Sequence, residues 1–96
     1  MANTPEGKVK KTVSSLLRST PGLYYFMPVP SGYGESSLDY LGCYRGRFFG
    51  IETKRPGGKP TDRQKKVIEK IQEAGGAAFV IDGDISELKT WIESII

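Results

Sequence analysis

Asp39, Glu52 and Lys54 are the residues of this chain whose types and spacing can do chemistry together. Residues 38–44 and 47–54 each read as a strand, and Arg45-Gly46 between them suits a two-residue hairpin loop ending in glycine. With that loop Tyr44 faces Arg47 and, counting outward, Asp39 faces Glu52. Directly opposed residues share one face, with Cβ atoms roughly 5 Å apart. Lys54 lies two residues beyond Glu52 and so belongs to the same face. Two acids set opposite each other destabilise a sheet unless something neutralises them. A divalent cation does so: hard carboxylate oxygens suit Mg²⁺ or Mn²⁺, with water and a substrate phosphate completing the shell. Such an ion polarises a phosphodiester, activates water and stabilises the charge that builds up in the transition state. A lysine alongside can hold the phosphate and orient or activate the attacking water.

An E-x-K triplet by itself is common on surface strands and says almost nothing. The weight falls on the Asp39 register, the strand placement, the Gly-rich basic loop 56–60 and the capped helix behind it. Exclusion narrows the chemistry further. The chain has no histidine, which removes histidine zinc sites, Ser-His-Asp triads and histidine general bases. Cys43 is the only cysteine, so no intrachain disulfide and no thiolate cluster can form, in keeping with a reducing cytoplasm. A formal charge of +3 makes the chain mildly basic, and nucleic acid is the commonest partner of such a surface. No run has the apolar length of a membrane span, and the N-terminus lacks a signal-peptide apolar region. Ninety-six residues suit one domain, 1–96, whose core is marginal at this size, so self-association is expected.

The elements that must position the three charges read as follows. Thr4-Pro5-Glu6 opens a helix with a cap residue, a proline at the first helical position and an acid in the first turn. Val9, Val13, Leu16 and Leu17 form its apolar stripe, and Thr20-Pro21-Gly22 ends it. Residues 23–27 read as an aromatic-rich strand and 28–37 as a loop. A helix is expected over 61–74, stopping at Gly75-Gly76, with Val67, Ile68, Ile71 and Ala74 as its apolar face. Residues 77–82 form a short, continuously apolar run, as a buried strand would. The last helix follows Asp84 or Ser86 and buries Leu88, Trp91, Ile92 and Ile95. The order is α-β-β-β-α-β-α, an α/β fold with a mixed sheet flanked by helices.

Asp39, Glu52-Thr53-Lys54 and this element order resemble the PD-(D/E)xK nuclease superfamily, with its restriction-endonuclease-like core. More narrowly, Leu38-Asp39-Tyr40-Leu41-Gly42, Tyr44-Arg45-Gly46-Arg47, Ile51-Glu52-Thr53-Lys54-Arg55-Pro56, Gly58-Lys59-Pro60-Thr61, Gln64 and Ala74-Gly75-Gly76 resemble the VRR-NUC (virus-type replication-repair nuclease) family. The resemblance runs from Glu6 to about Asp82 and is dense between Leu38 and Phe79. It implies Glu6, Asp39, Glu52, Lys54 and Gln64 as the catalytic set, with Mg²⁺ or Mn²⁺ on Asp39, Glu52 and the Thr53 carbonyl and Glu6 joining through water. It also implies cleavage of branched DNA, four-way (Holliday) junctions included, by a homodimer resembling phage-borne proteins of the host-cell cytoplasm. Leu38 departs from the family's usual proline, which supplies backbone shape and no chemistry.

Several of these residues have bland readings as well. Glu6 complements the helix dipole where it stands. Thr61-x-x-Gln64 is a capping box, which would occupy the glutamine with its own helix, although Gln64 shares a face with Val67, Ile68 and Ile71 and can point at the sheet. Basic residues are mostly solvated surface. Among the candidates for DNA-backbone contact, which include Arg45 and Arg47, the case is best for Arg55, Lys59 and Arg63, which flank the proposed site. Tyr24, Tyr25, Phe48, Phe49 and Trp91 read as core, Cys43 as a small packed side chain, and Tyr33 as the exposed aromatic. Two other functions compete: a catalytically silent DNA-binding module, and a nuclease of another substrate class such as flap or duplex DNA.

Overall fold

The computed structural model describes residues 4–29 and 37–95; Tyr33 and most of the loop before Asp39 lie outside them. The elements are α1 (Pro5–Arg18), β1 (Leu23–Phe26), β2 (Tyr40–Tyr44), β3 (Arg47–Thr53), α2 (Asp62–Glu73), β4 (Ala77–Ile81) and α3 (Ser86–Ser94). The strands form one sheet in the order β1-β2-β3-β4. The first three pair antiparallel and β4 pairs parallel to β3. A parallel neighbour needs a crossover, and α2 supplies it.

Local chemistry explains these elements. Thr4 caps α1, its hydroxyl accepting from the Gly7 N–H at 2.9 Å, with Pro5 just inside the helix. Between β2 and β3, Arg45 and Gly46 have φ of 51° and 82°. Two positive φ values make the turn whose twist matches the strands it joins. Arg45 adopts a conformation disfavoured outside glycine, and its guanidinium lies 5.4 Å from the centre of the Tyr44 ring. The hairpin register sets Tyr44 against Arg47 and Tyr40 against Ile51.

α1 and α3 cover one face of the sheet. Val9, Val13, Leu17 and Leu88 pack there against Tyr40, Phe49, Ile51, Phe79 and Ile81. Trp91 meets Phe49 and Phe79 edge-on, with ring centres 5.7 and 5.6 Å away. α2 lies on the other face, over β3 and β4. Gly50 lets it sit close, since a Cβ there would come within 2.9 Å of both Ile71 Cδ1 and Leu38 Cδ1.

That half-cover corrects three expectations. Tyr24 is 66% exposed because it lies on the α2 face over β1, which α2 does not cover, and Phe48 is exposed beside Gly76, where α2 has already ended. No residue of α2 is fully buried, and Ala74 is exposed. β4 is an edge strand with Val80 exposed, so its apolar run reflects partial cover rather than burial on both faces. Ile95 closes α3 half-buried, as are Trp91 and Ile92, while Leu88 is fully buried.

Candidate active site

Glu52 and Thr53 end the central strand β3, and side-chain alternation sends them to opposite faces. Glu52 points to the α2 side and is 4% exposed; Thr53 points to the core and is fully buried. The β2–β3 ladder stops at Tyr40↔Ile51. Asp39 is therefore not the next rung opposite Glu52, as counting along the hairpin suggests, but a bend before β2. Its Oδ2 accepts from the Thr53 N–H at 2.9 Å and from the Thr53 hydroxyl at 2.6 Å. The Lys54 N–H donates to Ile81 O of β4. Successive N–H groups alternate sides, so the Thr53 N–H faces β2, where the ladder has ended. The Asp39 carboxylate takes the place that a ladder carbonyl would fill.

Glu52 and Asp39 still feel each other. Burial, and next the charge of Asp39, push the Glu52 carboxyl above its ordinary pKa, against the pull of Lys54. The Lys54 ammonium stands 3.5 Å from Glu52 Oε2, with its side chain 18% exposed. Gln64 Nε2 donates to the same oxygen at 2.8 Å. The two readings of Gln64 hold at once. Its Oε1 accepts from the Thr61 N–H at 2.9 Å, and the Thr61 hydroxyl accepts from the Gln64 N–H at 3.2 Å, which completes the capping box. The amide oxygen fastens the helix start while the amide nitrogen reaches Glu52.

Glu6 reaches this cluster through Lys10. The Lys10 ammonium lies 3.4 Å from Glu6 Oε2 one turn away and 3.9 Å from Asp39 Oδ1. The Tyr40 phenol ties that part of α1 to β2, donating to Lys10 O at 3.0 Å. Its single proton being used there, it accepts from Ser14 Oγ at 2.7 Å. Arg55 lines a groove of about 370 Å³ with Glu6 and Lys10. Lys59 and Arg63 are exposed at the loop and helix start beyond it. Arg45 and Arg47 sit at the opposite end of the hairpin, six residues from Asp39 and five from Glu52 respectively, roughly 17–20 Å of strand.

The donor chemistry fits a small divalent cation. Asp39, Glu52 and the Thr53 carbonyl are hard oxygen donors, the kind Mg²⁺ and Mn²⁺ take. Both bonds from Thr53 fall on Asp39 Oδ2, which leaves Oδ1 with acceptor capacity. A carboxylate offers about four acceptor sites, and Gln64, Lys54 and backbone Asp39 draw on those of Glu52. Among the described residues no three His, Cys, Asp or Glu side chains converge as a ready-made cage. Mg²⁺ does not require one, since it keeps several waters and uses one or two carboxylates with substrate phosphate.

The sequence pointed to Thr53 for its carbonyl alone and to Lys10 only as one of many basic candidates for DNA-backbone contact. A readable signal for Thr53 was its place between Glu52 and Lys54, where a core-facing side chain is a hydroxyl rather than a hydrocarbon.

No family model and no curated protein matches the sequence. Solved structures do match. A VRR_NUC domain structure superposes with a TM-score of 0.73, at 24% identity, over 97% of this chain and 99% of that one. The chain has the α-β-β-β-α-β-α, restriction-endonuclease-like fold of that domain.

Proposed function

We propose that this chain is a VRR-NUC-type, metal-dependent endonuclease that hydrolyses phosphodiesters in branched DNA, four-way junctions above all, as a homodimer. The observation that carries the reading is the meeting of Asp39, Glu52 and Lys54 where β2 gives out beside β3, on this fold. Asp39, Glu52 and the Thr53 carbonyl would hold a divalent cation, which would supply Lewis-acid polarisation of the phosphate. The rest of the work belongs to the chain. Thr53 holds Asp39 in place and Gln64 holds Glu52. Lys54, low in exposure, holds a phosphate oxygen and orients the attacking water, and its positive charge stabilises the transition state. Arg55 and Lys10 flank the path of the DNA backbone. Symmetric resolution of a junction needs two such centres related by a two-fold axis, which a homodimer provides.

The test compares four-way junction, flap, duplex and single-stranded DNA with Mg²⁺, Mn²⁺ and chelator. The junction is cut best, in metal alone. Asp39→Asn and Lys54→Ala lose at least a hundredfold in cutting while junction binding persists. Full activity in either variant overturns the assignment. Binding by the wild type without cutting in Mn²⁺ makes the chain a silent DNA-binding module.

A further inference from the structure

A second groove lies between α1 and α3, on the side of the sheet away from α2. It encloses about 480 Å³ and is lined by Lys11 and Arg18 from α1 and Lys89 from α3, with Thr12, Ser15 and Ile85 among them. No acid lines it. Lys10 and Lys54 are engaged by carboxylates at the candidate active site. Among the described residues, Lys11, Arg18 and Lys89 have no such partner. Three like charges gathered with no ion-pair partner repel one another and attract a polyanion. The Thr12 hydroxyl donates back to Lys8 O and keeps its own oxygen available as an acceptor.

We infer that this groove holds the phosphate backbone of a second duplex arm while the first arm occupies the Asp39–Glu52–Lys54 site. The inference rests on the branched-DNA reading and adds to it a site with its own residues. Lys11 and Arg18 are seven residues apart on one helix, roughly 10 Å along its axis. One strand of a duplex carries a charge about every 3.4 Å of axis. About three phosphates fall within that length, and the groove offers three cations. Glu52 and Gln64 lie on the α2 face while the groove opens on the α1–α3 face, so an arm that diverges at a branch can enter the groove while another occupies the site.

The experiment measures binding by fluorescence anisotropy in chelator, on a four-way junction and on a duplex of equal arm length, across a salt series. The variant carries Lys11→Gln, Arg18→Gln and Lys89→Gln. All three positions are exposed, glutamine is a good helix former, and an unchanged melt verifies the fold. Each lost phosphate contact lowers the slope of log affinity against log salt by about 0.9, so the junction slope falls by about 2.7. Junction affinity drops at least tenfold near 150 mM salt and duplex affinity stays within twofold. An unchanged junction slope, or equal losses on junction and duplex, overturns the groove. Cutting by the wild type in Mn²⁺ is scored in parallel. A slope loss in a protein that cuts nothing sinks the nuclease reading and leaves the groove standing; cutting with an unchanged slope does the reverse.

Discussion

Replacing Glu52 by glutamine should stabilise the metal-free protein at neutral pH and destabilise it relative to wild type once metal is added. Glu52 is 4% exposed and shares the end of the sheet with Asp39. Burial is the larger cause of its raised pKa and Asp39 the next. A carboxyl whose folded pKa is raised favours its protonated form in the fold. The stability this gives is complete below the unfolded value, about 4.3, and is lost as pH climbs through the folded value. At pH 7.5 wild-type protein in chelator therefore holds a buried charge that its fold disfavours. The Asp39 charge, the second cause of that shift, repels it across a partly buried gap. Lys54, 3.5 Å from Glu52, offsets much of this and loses its partner in the variant. Glutamine keeps an acceptor for Gln64 Nε2. The net gain for Glu52→Gln is about 1 kcal/mol, or about 5 °C in Tm for a chain of this size.

Metal reverses the order. A cation at a hundred times its Kd would stabilise the wild type by about 2.7 kcal/mol, while the variant would lack one of the two proposed carboxylate ligands. The assay is thermal melting of both proteins at one fixed concentration, at pH 4 and 7.5 in chelator and at pH 7.5 in Mn²⁺. The variant melts about 5 °C higher in chelator at pH 7.5, within a degree or two at pH 4, and below wild type in Mn²⁺. A variant that melts lower in chelator at pH 7.5, or that gains as much from Mn²⁺ as wild type does, refutes the reasoning.

Thr53→Val removes the 2.6 Å bond to Asp39 Oδ2 while keeping the buried shape. Bonds to charged groups contribute about 1.5–3 kcal/mol. Asp39 is partly exposed and keeps the Thr53 N–H, so a loss of about 1.5 kcal/mol by denaturant unfolding is expected. Cutting falls with kcat more than KM, and Thr53→Ser restores it, which a purely structural role would not require. Gly42→Ala drives a Cβ into the Tyr24 carbonyl and the Phe49 ring. Backbone cannot yield as a side-chain tip can, so the loss is at least 3 kcal/mol, visible as a melt more than 10 °C lower.

The sequence made most elements legible because their signals are local. Thr4-Pro5, Arg45-Gly46 and Thr61-x-x-Gln64 each act within a turn or two, and the structure places α1, the hairpin and α2 within about two residues of the expected limits. Side-chain cover is a tertiary quantity, and there local reasoning failed. Tyr24 and Phe48 have core-like chemistry, but α2 is a single helix seated on Gly50 and cannot shield four strands. At the site, the hairpin register brought Asp39 and Glu52 to the same end of the sheet. It could not show where β2 stops, because that depends on the Asp39 side chain displacing the ladder.

The site lies where regular structure is given up. Continuing β2 by one more rung would pair two acids directly, an arrangement a sheet resists. Ending the ladder at Tyr40 turns Asp39 aside, where Thr53 fixes one oxygen and leaves the other open. Glu52, still in β3, is held by a glutamine that also caps its helix, so the rotamer of Gln64 is set twice. Each acid is thus fixed by a neutral donor, and neither depends on a full ion pair to hold its geometry. Lys10, at 3.4 and 3.9 Å from its two acids, and Lys54, at 3.5 Å, balance charge at distances too long for tight hydrogen bonds. Neutral donors that make the short bonds, with the cations at longer range, leave a cluster whose geometry survives when the charge within it changes. That property suits the uptake of a cation and then a phosphate proposed for the site.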